Sequence, residues 1–159
     1  VALFPHGILA YEPSIKPKKE AKIQIASYGF CLPNKGFKEL VHAIKLLQKY
    51  PVKIELNIFS AIYNDTYYWV YEELKDLVLE LNLEGVINIH PEYKTDEESL
   101  NSLASHDIIV FPYQSSTESS SAAVRQGLAT LKPVIVTPLP IFNDVSNLVD
   151  YFSDIKILF

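Results

Sequence analysis

Short apolar runs alternate along this chain with segments whose apolar residues recur at helical spacing, and that order constrains the fold more than any other feature. Ile23 to Tyr28 reads as a strand, Phe37 to Tyr50 as a helix, and Val52 to Phe59 as the next strand. Thr66 to Leu83 follows with Trp69, Leu74, Leu77 and Leu81 on one helical side. Val86 to His90 is a strand, and Asp96 to Ser105 is a short helix that Thr95 and Glu98 cap reciprocally. A strand at 108–113, a helix at 119–131 and a strand at 133–137 come next, then a helical stretch from Ile141 to Leu148 and a last strand at 155–159. Strands separated by helices cannot pair as hairpins. They imply an α/β fold, a Rossmann-like parallel sheet with helices on both faces. Such sheets bind ligands beyond the carboxyl ends of their strands. The polar segments 29–36, 60–66, 91–94, 114–121 and 137–140 all fall on that edge.

Composition narrows the possible partners. A chain that is 48% hydrophobic and 21% charged is too apolar for disorder, and its 159 residues make one domain with a full core. The net charge of −5 and the lack of a basic stripe argue against nucleic acid. No apolar run approaches the length that crosses a bilayer. Val1 to Gly7 is too short for a signal peptide and is broken by Pro5. Cys31, the lone cysteine, excludes an internal disulfide and reads as a small core residue. The chain contains no Met, so it reads as a fragment of a longer protein. Residues 1–21 read as a hinge and extended arm, and 22–159 as the folded domain.

The chemistry concentrates in Glu118-Ser119-Ser120-Ser121-Ala122-Ala123-Val124-Arg125-Gln126-Gly127. A helix start that follows a strand and a polar loop presents free N–H groups and partial positive charge, and serine hydroxyls add donors. Serines are also ordinary N-caps. Glu118 is unsuited to an anion and suits sugar hydroxyls, so phosphate beside sugar is the implied ligand. Arg125, the chain's single arginine, lies seven residues after Glu118, which would put both on nearly one helix face. Lys35-Gly36 opens another helix after a strand and loop, with a mobile point charge and a residue that permits close backbone approach. His42 and His106 read as helix-surface residues, and the four histidines lack metal-ligand spacing.

These segments resemble the C-terminal domain of group 1 (family 4) retaining glycosyltransferases of the GT-B fold. That family carries Glu, seven residues, Glu on a helix ending before Gly-Lys-Pro-Val-Ile. Glu118 takes the first Glu position and Lys132-Pro133-Val134-Ile135 the ending, while Gln126 stands at the second Glu position. Tyr28 to Gly36 is similar to the family's first strand, loop and helix start. Lys35 falls on the Lys that grips the donor diphosphate, and Phe30 stands where the family has Arg. Val1 to Gly7 resembles the hinge from an N-terminal domain.

The resemblance implies the C-terminal half of a GT-B fold in a bacterial, cytoplasmic transferase. Any membrane association would run through the missing N-terminal domain. The donor would be a nucleoside diphosphate sugar, with no metal and no other cofactor, and the sugar would pass with retention to a glycan, lipid or protein acceptor. Glu118 would be the catalytic-site carboxylate that orients the sugar. Lys35, Gly36, Ser119, Ser120, Ser121 and Arg125 would hold the diphosphate, and Gln126 would face the ribose. By itself the fragment would bind nucleotide without transferring sugar. Two alternatives stay open: a sugar-nucleotide epimerase of similar two-domain fold, and a binding module without transfer activity, which Phe30 and Gln126 motivate.

Overall fold

The computed structural model describes residues 7–12 and 22–152. Its frame is a sheet of six parallel strands: β1 Ile23–Tyr28, β2 Ile54–Phe59, β3 Ile87–His90, β4 Ile108–Phe111, β5 Val134–Val136 and β6 Asp150–Tyr151. Their spatial order is β3-β2-β1-β4-β5-β6. The chain builds outward from β1 in one direction, then returns to β4 and builds outward in the other. The seam between β1 and β4 is therefore the switch point of a doubly wound, Rossmann-like sheet.

Alternation along each strand divides the core between the two faces. On one face Ile25, Leu56, Ile58 and Val110 pack with Phe37, Leu40, Val41 and Ile44 of α1 (Phe37–Leu47) and with Leu74 and Val78 of α2 (Tyr68–Glu80). On the other, Ala26, Phe59, Ile109, Phe111 and Val136 pack with Leu103 of α3 (Asp96–Ala104) and Val124 of α4 (Ala122–Ala129). Burial on both faces fits the continuous apolar runs of β4 and β5, while β1, β2 and β3 keep polar residues such as Gln24, Glu55, Asn57 and Asn88.

Element ends differ from the sequence reading where local chemistry overrides periodicity. The segment from Thr66 begins as a 3₁₀ turn, Asp65–Tyr67, because the Asn64 side chain accepts from the Thr66 N–H and tightens the start. The buried stripe of α2 is Val70, Leu74 and Val78, and Trp69 is turned outward. The segment after β5 is a 3₁₀ helix, Pro140–Val145, followed after a short turn by β6, which the sequence reading missed. The strand expected at 155–159 lies outside the described residues, as do His6 and most of the 1–21 arm. Within that arm, Tyr11 Oη donates to Asn101 Oδ1 at 2.6 Å and so touches α3. The capping box forms as read: Thr95 Oγ1 accepts from the Glu98 N–H, and the Glu98 carboxylate accepts from the Thr95 N–H at 2.8 Å.

Gly36 sets the geometry of the loop after β1. It has a φ of 75°, and a Cβ there would lie 1.8 Å from the Pro112 carbonyl oxygen. Only glycine lets the start of α1 press against the end of β4. Gln114 N donates to the Asn34 carbonyl at 3.0 Å and ties the loop after β4 to the loop after β1.

Candidate functional site

A cavity of about 320 Å³ opens at the carboxyl edge of the sheet, beside the switch point. Tyr28 and Gly29 at the end of β1 and Tyr113 just past β4 form its floor. Lys35, Glu118, Ser121, Ala122, Gln126, Tyr93, Lys94 and Asp96 line its walls. Residues from four separate loops thus converge on the edge where the sequence placed its polar segments.

Tyr113 organises one end. Its ring is 2% exposed and packs against Phe111 and Phe142. The Lys35 ammonium sits 4.0 Å from the ring centroid. A cation over an aromatic face contributes about 0.5–2 kcal/mol, enough to hold Lys35 toward the cavity. The Tyr113 hydroxyl approaches Ser121 Oγ at 3.4 Å. Ser121 in turn is the N-cap of α4, its Oγ accepting from the Val124 N–H at 3.2 Å. Ala122 and Ala123 line the cavity, so no bulky side chain screens the first turn of α4. Lys35 and the positive end of α4 are placed to receive an anion.

The three serines separate. Ser121 lines the cavity, with its hydroxyl committed to the cap, while Ser119 is exposed and Ser120 half-buried, and neither is a lining residue. Glu118 lies in the loop, ahead of α4, because the helix begins at Ala122. The seven-residue spacing to Arg125 therefore does not place both on one helical face. Glu118 reaches the cavity from the loop, and Arg125 does not line it. Arg125 is 5% exposed, donates to the Ser121 carbonyl at 2.7 Å and pairs with Asp144. Its reading as a diphosphate contact is corrected by this burial: the guanidinium braces the helix start from within.

Gln126 lines the cavity beside Asp96. Its Nε2 donates to Asp96 Oδ1 at 3.0 Å, which fixes the amide orientation, and its Oε1 is buried without a hydrogen-bond partner. A buried acceptor left unpaired costs about 1–3 kcal/mol, so a ligand that donates there relieves a penalty already present. Asp96 is the residue that sequence reasoning missed on this wall. The signal was available in its place at the first turn of a helix after the loop 91–94, on the ligand edge.

An aromatic shelf extends behind that wall. His90 stacks on Phe59 with centroids 4.7 Å apart and 18° between planes, and its Nε2 lies 3.0 Å from Asn57 Oδ1. Burial lowers the His90 pKa, with Glu92 opposing and Lys94 reinforcing. A neutral His90 donating Nε2–H to Asn57 satisfies that geometry. His106, read as a helix-surface residue, is instead 6% exposed behind α3. Its Nδ1 donates to the Ser102 carbonyl at 2.7 Å, its ring meets Phe59 edge-on, and burial lowers its pKa. Phe30 lines the cavity mouth, half exposed, and meets Tyr63 edge-on at 5.2 Å. Among the described residues no cluster of His, Cys, Asp or Glu is arranged to hold a metal ion, and no helix is long and apolar enough to cross a membrane.

No family model matches this chain, and no curated protein matches it. Solved structures do. A glycosyltransferase from Rickettsia africae superposes with a TM-score of 0.75 at 19% identity, over 87% of this chain and 36% of that one. The N-terminal domain of Candida albicans trehalose-6-phosphate phosphatase gives 0.73 at 12% identity, over 87% and 33%. Anabaena Alr3699/HepE, solved in complex with UDP-glucose, gives 0.70 at 13% identity, over 86% and 37%. The chain thus has the Rossmann-like fold of glycosyltransferase domains, GT-B type, and spans about a third of the length of the chains it resembles.

Proposed function

We propose that this chain is the donor-binding domain of a retaining glycosyltransferase of the group 1 (family 4) kind, holding a nucleoside diphosphate sugar. The observation that carries the reading is the convergence of Lys35, the open first turn of α4, Glu118 and Gln126 on one cavity at the switch point. The diphosphate lies between Lys35 and the α4 terminus, where both the cation and the helix dipole favour negative charge. That charge grows as the leaving diphosphate departs, so the same groups stabilise the transition state. Glu118, which lines the same cavity, orients sugar hydroxyls by accepting their hydrogen bonds. Gln126 offers its unpaired Oε1 to a ribose hydroxyl. The diphosphate charge is met by Lys35 and backbone N–H groups, so the reading needs no divalent metal. UDP-glucose in the Alr3699/HepE structure makes UDP the first nucleotide to try. Acceptor binding and transfer then belong to a two-domain protein of which this chain is the donor side.

Calorimetry with UDP and uridine tests the assignment. Lys35→Ala weakens UDP binding by about 1.5–3 kcal/mol, the range for a hydrogen bond to a charged group, and leaves uridine unaffected. Equal loss for both ligands, or no loss for UDP, removes Lys35 from the diphosphate and the reading with it.

A further inference from the structure

In sequence, Tyr113 is only the last residue of the apolar segment 108–113. We propose that its hydroxyl touches the ligand: the Tyr113–Ser121 hydroxyl pair donates one O–H to an oxygen of the bound diphosphate, beside Lys35. The inference rests on the nucleotide reading of the cavity and names a donor that this reading leaves unused.

The hydroxyl pair has one proton to spare. Ser121 Oγ accepts from the Val124 N–H at 3.2 Å, which uses a lone pair and leaves the serine proton unassigned. The Tyr113 hydroxyl lies 3.4 Å from the same oxygen. Each residue carries one O–H, and a bond between them takes up one of the two, whichever way it runs. Among the described residues neither hydroxyl has another acceptor. One O–H is therefore left to donate, and both residues line the cavity. A buried donor without a partner is unfavourable, so a ligand oxygen that accepts from it removes that cost.

The position of this donor suits an anion. Tyr113 is 2% exposed and packs against Phe111 and Phe142, so its hydroxyl is held in place before a ligand arrives. It lies beside Gly29, where an added Cβ would come within 3.8 Å of it, and Gly29 has no side chain to cover it. The Lys35 ammonium sits 4.0 Å from the centroid of the same ring. One side chain thus sets a cation and a neutral donor next to each other. Other donors are scarce. Arg125 is turned inward onto Asp144, Ser119 and Ser120 are not lining residues, and the Phe30 side chain has nothing to donate. A diphosphate carries more charge than one ammonium neutralises, and a hydrogen bond to an ionised oxygen is stronger than one between neutral groups. The spare O–H therefore adds to the hold that Lys35 and the start of α4 provide.

Tyr113→Phe isolates the hydroxyl, because it keeps the ring that packs on Phe111 and Phe142 and lies under Lys35. Calorimetry compares UDP, uridine and inorganic pyrophosphate on wild type and variant, and urea unfolding checks that the two midpoints agree. The expected result is that UDP and pyrophosphate bind at least about fivefold more weakly to Tyr113→Phe, with uridine unchanged. A second measurement needs only the wild-type chain. With tyrosines isotopically labelled at Cζ and the Tyr113 signal assigned through its backbone, that signal shifts on adding UDP or pyrophosphate and stays in place with uridine. The proposal is overturned if Tyr113→Phe binds both anions within about twofold of wild type. It is overturned equally if the variant loses uridine in the same measure, or if the Cζ signal answers to neither anion. Should the variant unfold at lower urea, the wild-type Cζ response decides alone. UDP binding that falls in Lys35→Ala but not in Tyr113→Phe removes the hydroxyl and keeps the nucleotide reading. Pyrophosphate binding that depends on Tyr113, with no UDP binding, removes the nucleotide reading and keeps the hydroxyl donor. No binding of either anion removes both.

Discussion

Replacing Gln126 by glutamate restores the residue type that the resembled glycosyltransferases carry, and on sequence grounds alone it should preserve or tighten nucleotide binding. The geometry predicts otherwise. Gln126 Nε2 donates to Asp96 Oδ1 at 3.0 Å, so the new carboxylate would face an existing one at about that separation. Two unit charges there repel by roughly 5.5 kcal/mol at an effective dielectric of 20. Asp96 is exposed, which reduces this. Protonating one partner sets a ceiling: holding a carboxyl of ordinary pKa neutral at pH 7 costs about 3.7 kcal/mol. The lost donor bond to Asp96 already accounts for about 1.5–3 kcal/mol. Gln126→Glu is therefore expected to lose about 2–4 kcal/mol of stability at pH 7. The sign with pH is definite. A carboxyl whose folded pKa is raised is more stable folded at low pH and loses that advantage as pH rises, so the deficit relative to wild type shrinks toward pH 4.5. Urea unfolding at both pH values measures it. The double variant Asp96→Asn/Gln126→Glu turns the hydrogen bond around, Asn donating to Glu, and should recover both stability and UDP affinity. A single variant within about 0.5 kcal/mol of wild type at pH 7, with no gain in the double variant, refutes the reasoning.

Gly36→Ala is expected to cost at least about 3 kcal/mol, since it combines a left-handed backbone with a backbone clash at 1.8 Å; a urea midpoint near wild type would mean the loop moves freely off β4. Asp144→Ala removes one partner of the buried Arg125 guanidinium and should destabilise by about 1–3 kcal/mol, read by thermal unfolding, whereas a loss of UDP affinity without a loss of stability would return Arg125 to the ligand. His90 and His106 have folded pKa values lowered by burial. Their contribution is present above the unfolded value of about 6.5 and is lost as pH falls below it. Stability should therefore drop between pH 7.5 and 5.5, and less steeply in His106→Gln. Equal slopes would show that His106 does not drive the effect.

The layered fold was legible because it depends on features that repeat locally. β4 and β5 are apolar runs, β1 to β3 alternate apolar with polar residues over short stretches, and α1 and α3 follow from periodicity and a capping pair. What escaped depends on contacts or on very short range. The two-residue β6 is too short to leave a pattern, and only its pairing of Asp150 with Ile135 and Tyr151 with Val136 defines it. The 3₁₀ helix at Pro140–Val145 buries Ile141, Phe142 and Val145, a spacing that a hydrophobicity pattern does not separate from an α-helical turn. In α2, both Trp69 and Val70 could have headed the buried stripe. The Asn64 cap and the 3₁₀ entry select Val70 by shifting the helical phase.

The candidate site divides on the same line. Lys35, Gly36, Glu118, Ser121 and Gln126 sit in segments whose order along the chain already puts them on one sheet edge, so topology alone brings them together. Arg125 shows the limit. A single arginine within a helix of small residues is a natural anion ligand on sequence, and nothing in its neighbours says otherwise. Its partner is Asp144, nineteen residues on, beyond β5. Once paired there, the guanidinium gives its donors to Asp144 and to the Ser121 carbonyl. It thereby stiffens the turn that presents the α4 N–H groups to the cavity. The arginine then acts on an anion through the backbone it holds, and its removal would loosen that helix start before it removed any charge from the ligand.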